Sequence, residues 1–176
     1  MTAVPEVTAY VGLGANAGDR AAALRAAVAA LDAAEGIRVE AVSPVYETEA
    51  HRLPGQPPQP DHLNAVARLR TALPPDALLD VFHALERAAG RTPDAPRWSP
   101  RPLDLDLLLY DDLVLDTPAL TLPHPRLPER RFALRPLADL APDLVVPGTG
   151  RTAADLLAAC PDTARVEPTD LVIRFG

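Results

Sequence analysis

The sequence predicts an α+β fold whose elements run in the order βαββαβ, and three observations predict it. Short stretches carry apolar residues with a period of two, two longer stretches carry them at helical spacing, and Gly or Pro stands at nearly every junction. At 176 residues the chain suits one domain, with a core over about 7–150 and a C-terminal extension over 151–176.

Val7 to Leu13 is the first apolar run, and it enters GLGANAGD. Asp19 is placed to cap a helix whose stripe is Leu24, Val28 and Leu31, with Gly36 in the C-cap role. Ile37 to Thr48 reads as the second strand, and Pro44 inside it implies an edge or a bulge. After a Pro-rich loop (His51 to Pro60), Leu63, Ala65, Ala67 and Leu69 alternate with Asn64, Arg68 and Arg70, which gives the third strand. Pro74 and Pro75 suit a helix start, Leu78, Leu79, Phe82 and Leu85 form its stripe, and Gly90 closes it. A second Pro/Arg-rich loop, Arg91 to Pro102, leads into the fourth strand, Leu103 to Tyr110.

This order is the ferredoxin-like split βαβ arrangement, an antiparallel sheet with both helices on one face. It predicts that the first and fourth strands are neighbours at the centre, with Leu103, Leu105, Leu107 and Leu109 turned towards the helices. The turn GLGANAGD lacks dinucleotide-binding spacing and reads as a structural turn between strands. Farther on, the sequence predicts a short hairpin partner at Leu113 to Leu115 and helices at Arg131 to Leu140 and within TAADLLAAC, the last opened by a Thr152/Asp155 capping box. No second hydrophobic core is evident, and residues after Pro161 show no pattern.

The fourth strand carries the chemistry. Residues i and i+2 of a strand share a face, so Asp104 and Asp106 leave the same side roughly 6.6 Å apart, at about 3.3 Å per residue. Two readings are open: solvated acids on a half-exposed strand, or like charges gathered to hold a cation. Arg91, Arg97 and Arg101 nearby, Trp98 in the same loop, and His124 and Arg130 in the third Pro-rich stretch favour the second. Carboxylate-held Mg²⁺ facing arginines is a recurrent apparatus of phosphoryl transfer. Asn64, on the polar face of the third strand, can offer a donor and an acceptor to a heterocycle edge.

Composition narrows the field. All 17 basic residues are arginine, which excludes a phosphate-binding lysine, a Schiff base and a lysine general base. A net charge of −7 argues against a nucleic-acid or anionic-membrane surface. One cysteine, Cys160, allows neither an intrachain disulfide nor a Cys-based zinc site. With no basic-then-apolar start and no apolar run of about 20 residues, a cytoplasmic location is expected.

The stretches YVGLGANAGDR, VSPVYET, DHLNAVARL, RWSPRPLDLDLLLY and LPHPRLPERRFALRPL, taken together and in order, resemble the 6-hydroxymethyl-7,8-dihydropterin pyrophosphokinase family. The resemblance covers about 9–150. It implies transfer of diphosphate from ATP to the pterin hydroxymethyl group, with two Mg²⁺ ions held by Asp104 and Asp106. It implies that Arg91 and Arg101 contact phosphates, that Arg97 and His124 lie near the nucleotide, and that Thr121 and Leu107 line its site. Glu86 and Arg130 match further active-site positions. Thr48 and Asn64 would hydrogen-bond the pterin, His62 and Phe132 would stack on it, and Trp98 would close over it. His62 stands where Tyr or Phe is usual, Ala15 replaces a usual serine, and Pro93 and Asp94 replace residues that are basic in some members. A monomer acting on ATP and a hydroxymethyl-dihydropterin, with no nucleic-acid or membrane partner, is the expectation.

Overall fold

The structure, a computed structural model, describes residues 4–50, 54–91 and 100–176. Strand β1 (Val7–Ala15) leads to helix α1 (Arg20–Ala33), then β2 (Ile37–Val42), β3 (Tyr46–Thr48), β4 (His62–Thr71), α2 (Pro75–Ala88) and β5 (Asp104–Tyr110). The remainder is β6 (Leu115–Asp116), β7 (Thr121–Leu122), α3 (Arg131–Leu140), β8 (Val145–Val146), β9 (Arg151–Thr152), α4 (Ala153–Ala158) and β10 (Val166–Pro168). Among the described residues no helix is long and apolar enough to cross a membrane.

Local chemistry sets most boundaries. Asp19 caps α1 by accepting the Ala22 N–H at 3.0 Å, and Thr152 and Asp155 form the reciprocal capping box of α4. Gly36 is not the C-cap of α1; Ala34 is, and Gly36 takes a positive φ of 81° in the turn into β2. The expected second strand is two strands. Ser43-Pro44 interrupts it, and β2 and β3 both pair with β4 on either side of the break. The segment GLGANAGD is likewise not a turn as a whole, because Gly12, Gly14 and Ala15 lie inside β1.

All main-sheet pairings are antiparallel, and the order is β10-β3-β4-β1-β5, with β2 also beside β4. The Asp-bearing strand β5 does neighbour β1, but it is the edge of this sheet and not its centre. Among the described residues only β1 pairs with it, and its other side meets a loop: the Leu108 carbonyl accepts the His124 N–H at 2.9 Å. The hairpin after β5 pairs β6 with β7 instead of with β5.

Burial divides the molecule by sheet face. Under α1 and α2 lie Ala9, Val11, Leu13, Leu24, Val28, Leu69, Leu78, Phe82, Leu105 and Leu107. A second core, which the sequence did not suggest, occupies part of the opposite face. There Tyr10, Val66, Leu108 and Leu109 pack against Leu134 and Leu137 of α3 and Leu156 of α4. Leu109 belongs to this second core and not to the first, because the ladder pairs Val11 with Leu107 but Tyr10 with Leu109. Leu108 is the extra residue of a bulge, and an extra residue reverses the facing of those after it. β10 and the buried Ile173 show that the C-terminal residues join both sheet and core.

Candidate active site

The second core stops short of one end of the sheet, and there a cleft of about 620 Å³ opens. Its floor is built from three strands. Gly14 pairs with Asn64 on β4 and with Asp104 on β5, so Asn64, Gly14 and Asp104 form one row. Val66, Gly12 and Asp106 form another row on the same face. Two strand spacings, about 9.6 Å, separate the amide end from the acidic end. The glycines keep the floor between them bare. A Cβ on Gly14 would sit 2.8 Å from the Asn64 Oδ1, whereas one on Gly12 would meet Leu108 at an ordinary 3.7 Å.

At the acidic end, both carboxylates face the cleft as the strand period predicts. Arg91 reaches Asp104 at 2.9 Å, Arg101 reaches it at 3.4 Å, and Arg130 stands 3.6 Å from Asp106. Burial, with the Asp104 charge next, pushes the Asp106 carboxyl up to about 6, while Arg130 pulls the other way. Arg130 and Arg101 do not fully offset this, so charge on Asp106 is costly. Glu86 brings a third acid from behind, held by Arg91. It is nearly fully buried, and its carboxylate accepts the Leu105 N–H at 3.0 Å and an Arg91 N–H at 2.5 Å. Burial raises its pKa, and the Leu105 amide and Arg91 oppose that rise.

At the amide end, the Asn64 side chain donates to Thr48 Oγ1 at 2.7 Å, and Thr48, His62 and Phe132 line the cleft. Arg130, whose guanidinium is 5.6 Å from the Phe132 ring centre, joins the two ends.

Asp104, Asp106, Arg101, Arg130, Thr48, His62, Asn64 and Phe132 thus converge as expected, and Arg91 supports them through Asp104. Leu107 has its side chain buried under the helices, as the strand period predicts, and the bulge turns Leu108 into the cleft. Glu86 stands behind the cleft lining, where its carboxylate holds Arg91 and the Leu105 amide. Thr121, on β7, and His124 stand outside the lining. Burial, aided by Arg130 and Arg126, drives the His124 imidazole down to about 4, and its Nδ1 accepts the Arg126 N–H at 3.2 Å. A neutral ring with Nδ1 as acceptor leaves Nε2 as the donor. Arg97, Trp98, Pro93 and Asp94 lie outside the described residues.

Sequence reasoning missed Arg126, Glu129 and Asp162 in the lining, and it missed Asn16. Fully buried, Asn16 accepts the Arg101 N–H at 2.7 Å and donates to Gln59 Oε1 and the Pro60 carbonyl. One amide thereby pins both loops that flank the cleft. Its signal was an Asn directly after an apolar strand.

The donor set fits magnesium. Among the described residues no three His, Cys, Asp or Glu side chains group so as to hold a metal by themselves. Mg²⁺ needs only one or two carboxylates when phosphate oxygens and waters complete its shell. The under-neutralised Asp104/Asp106 pair, open to the cleft, offers that.

Residues 10–142 match the family model for 7,8-dihydro-6-hydroxymethylpterin-pyrophosphokinase. The chain is similar to the 2-amino-4-hydroxy-6-hydroxymethyldihydropteridine pyrophosphokinases of Pseudomonas aeruginosa (45% identical, covering 86% of this chain and 91% of that one) and Synechocystis (42%, covering 89% and 77%). It is also 42% identical to the enzyme so named in Bacillus subtilis, over 75% of this chain and 77% of that one. A solved Plasmodium falciparum HPPK-DHPS chain superposes with a TM-score of 0.67 at 13% identity, which shows the fold. That match takes in 88% of this chain and 45% of the Plasmodium chain.

Proposed function

Because the chain belongs to the 7,8-dihydro-6-hydroxymethylpterin-pyrophosphokinase family, we propose that the cleft on the open end of its sheet is where diphosphate transfer takes place. The activity is the kinase step of folate biosynthesis that moves the diphosphate group of ATP to 6-hydroxymethyl-7,8-dihydropterin and leaves AMP. The bond between the α- and β-phosphates breaks, a bond from the pterin oxygen to the β-phosphorus forms, and the hydroxymethyl proton departs.

Asp104 and Asp106 would hold two Mg²⁺ ions, whose charge would offset that of the phosphates during in-line displacement. Arg101, with Arg91 beside it, meets the phosphates, and Arg130 offsets the charge of Asp106. Glu86 holds Arg91 at the strand end, and Asn16 holds the Arg101 loop. At the other end Asn64 and Thr48 present donors and acceptors to the pterin edge while His62 and Phe132 offer flat apolar faces to its ring. Arg126 and Arg130 line the nucleotide side, with His124 behind them as a neutral hydrogen-bonding group. Use of ATP suits a cytoplasmic enzyme acting as a monomer on these two small molecules. Residues 7–150 supply the core machinery and 151–176 an extension to it.

One observation carries this assignment: Asn64, Gly14 and Asp104 lie in one row, so a heterocycle on the amide delivers its side arm over bare floor to the acids. Incubation of the protein with ATP, Mg²⁺ and the hydroxymethyl-dihydropterin should release AMP. Folded protein that releases free pyrophosphate, or nothing, would count against the reading.

A further inference from the structure

The C-terminal segment around Asp162–Arg165 showed no pattern in the sequence, yet it touches three separate walls of the cleft. α3 begins at Arg131 with Arg130 as N-cap and no side-chain cap of its own. The carboxylate of Asp162, 31 residues away, supplies one: Oδ2 accepts the Arg131 N–H at 3.2 Å while Oδ1 accepts the Ala164 N–H at 2.9 Å. Phe132 sits in the turn so capped. Three residues on, the Arg165 guanidinium pairs with Asp61, the neighbour of His62. The Arg165 N–H donates to Glu49 Oε1 at 2.9 Å, its carbonyl accepts the Glu49 N–H, and Val166 pairs with Thr48.

We infer that residues 162–166 are a clasp that positions Phe132, His62 and Thr48, so that the C-terminal segment shapes the pterin end of the cleft. This rests on the functional reading above. An uncapped helix start frays, and β3 is only three residues long, so neither wall is held firmly by its own sequence. The acidic end is held separately, by Glu86 on Arg91 and by Asn16 on the Arg101 loop. The clasp therefore bears mainly on the pterin end, and it reaches the acidic end only through Arg130, the residue before the capped turn. Asp162 and Arg165 are positioning residues, not catalytic ones.

The test is steady-state kinetics on full-length Asp162→Ala and Arg165→Ala. Each should raise KM for the pterin roughly fivefold, the loss of about one helix cap, with KM for ATP and kcat nearly unchanged. Asp162→Asn, which keeps one carbonyl acceptor, should recover part of the loss. Asp155→Ala, which breaks the α4 cap, serves as the purely structural control: lower Tm, no selective change in pterin KM. An unchanged pterin KM in both clasp variants overturns the clasp, as does a parallel rise of both KM values with falling Tm. Amide hydrogen exchange at 131–133 reads the clasp without turnover, and unchanged protection in Asp162→Ala also overturns it. Absence of AMP from wild-type protein, by contrast, sinks the assigned activity alone.

Discussion

The two faces of the main sheet obey different rules. Beneath α1 and α2 every position is conventional: Ala9, Val11, Leu13, Leu69 and Leu105 are buried, and their alternation follows the strand period. The opposite face of the same strands carries two glycines, an amide, two acids and a bulge. Burial of apolar area holds the first face together. The second is closed by its own core only in part, and its open end is assembled from charges and bare glycines, a liability that substrate and metal relieve. Stability and chemistry are thus separated by about the thickness of one strand.

Crossed substitutions offer the largest test of that separation. Asp104→Ala and Asp106→Ala should each abolish Mg²⁺-dependent AMP release while circular dichroism and Tm stay at or above wild type. Leu69→Ala, fully buried on the other face, should cost about 2–5 kcal/mol of stability and keep KM values near normal at temperatures where it is folded. Equal turnover in wild type and both Asp variants would break the comparison.

A smaller effect is expected from the bare floor. Gly14→Ala drives a Cβ to within 2.8 Å of the Asn64 Oδ1 and must displace an amide that donates to Thr48. Gly12→Ala meets only the tips of Leu108. Pterin KM should therefore rise for Gly14→Ala, by roughly tenfold if one buried hydrogen bond of about 1–1.5 kcal/mol is lost, and much less for Gly12→Ala. Similar values for the two would show that the glycines do not matter individually.

A separate effect is one of pH. A carboxyl raised from 3.8 to about 6 binds its proton more tightly folded than unfolded. Its stabilising contribution is full below the unfolded value and is lost as pH rises through about 6. Without Mg²⁺, Asp106→Asn should therefore gain stability over wild type progressively between about pH 4 and 6 in urea unfolding, and added Mg²⁺ should narrow the gap. A constant difference across that range would contradict it.

The element order and the first face were readable because they rest on near-neighbour chemistry. The Asp19 cap, the Thr152 box, the Leu78/Phe82 stripe and the β4 alternation each lie within a few residues. Strand two was misjudged because Pro44 splits it, and the choice between bulge and break depends on what β4 offers opposite. Leu109 was misassigned for a related reason: a bulge is a property of two paired strands. Asn16 and Asp162 were missed because each bonds partners far away in the chain.

By itself the sequence determined the main strands and helices of the core, the α+β class and, through the period-two rule, that Asp104 and Asp106 leave one face together. Those follow from backbone geometry and local hydrogen bonding. Only the tertiary structure decided that β5 is an edge, that Gly14 joins Asn64 to Asp104 in one row, and that the C-terminal segment clasps one end of the cleft. Register, bulges and remote caps arise from pairings between distant segments, and such pairings are fixed by the free energy of the whole packed chain and not by any single stretch of it.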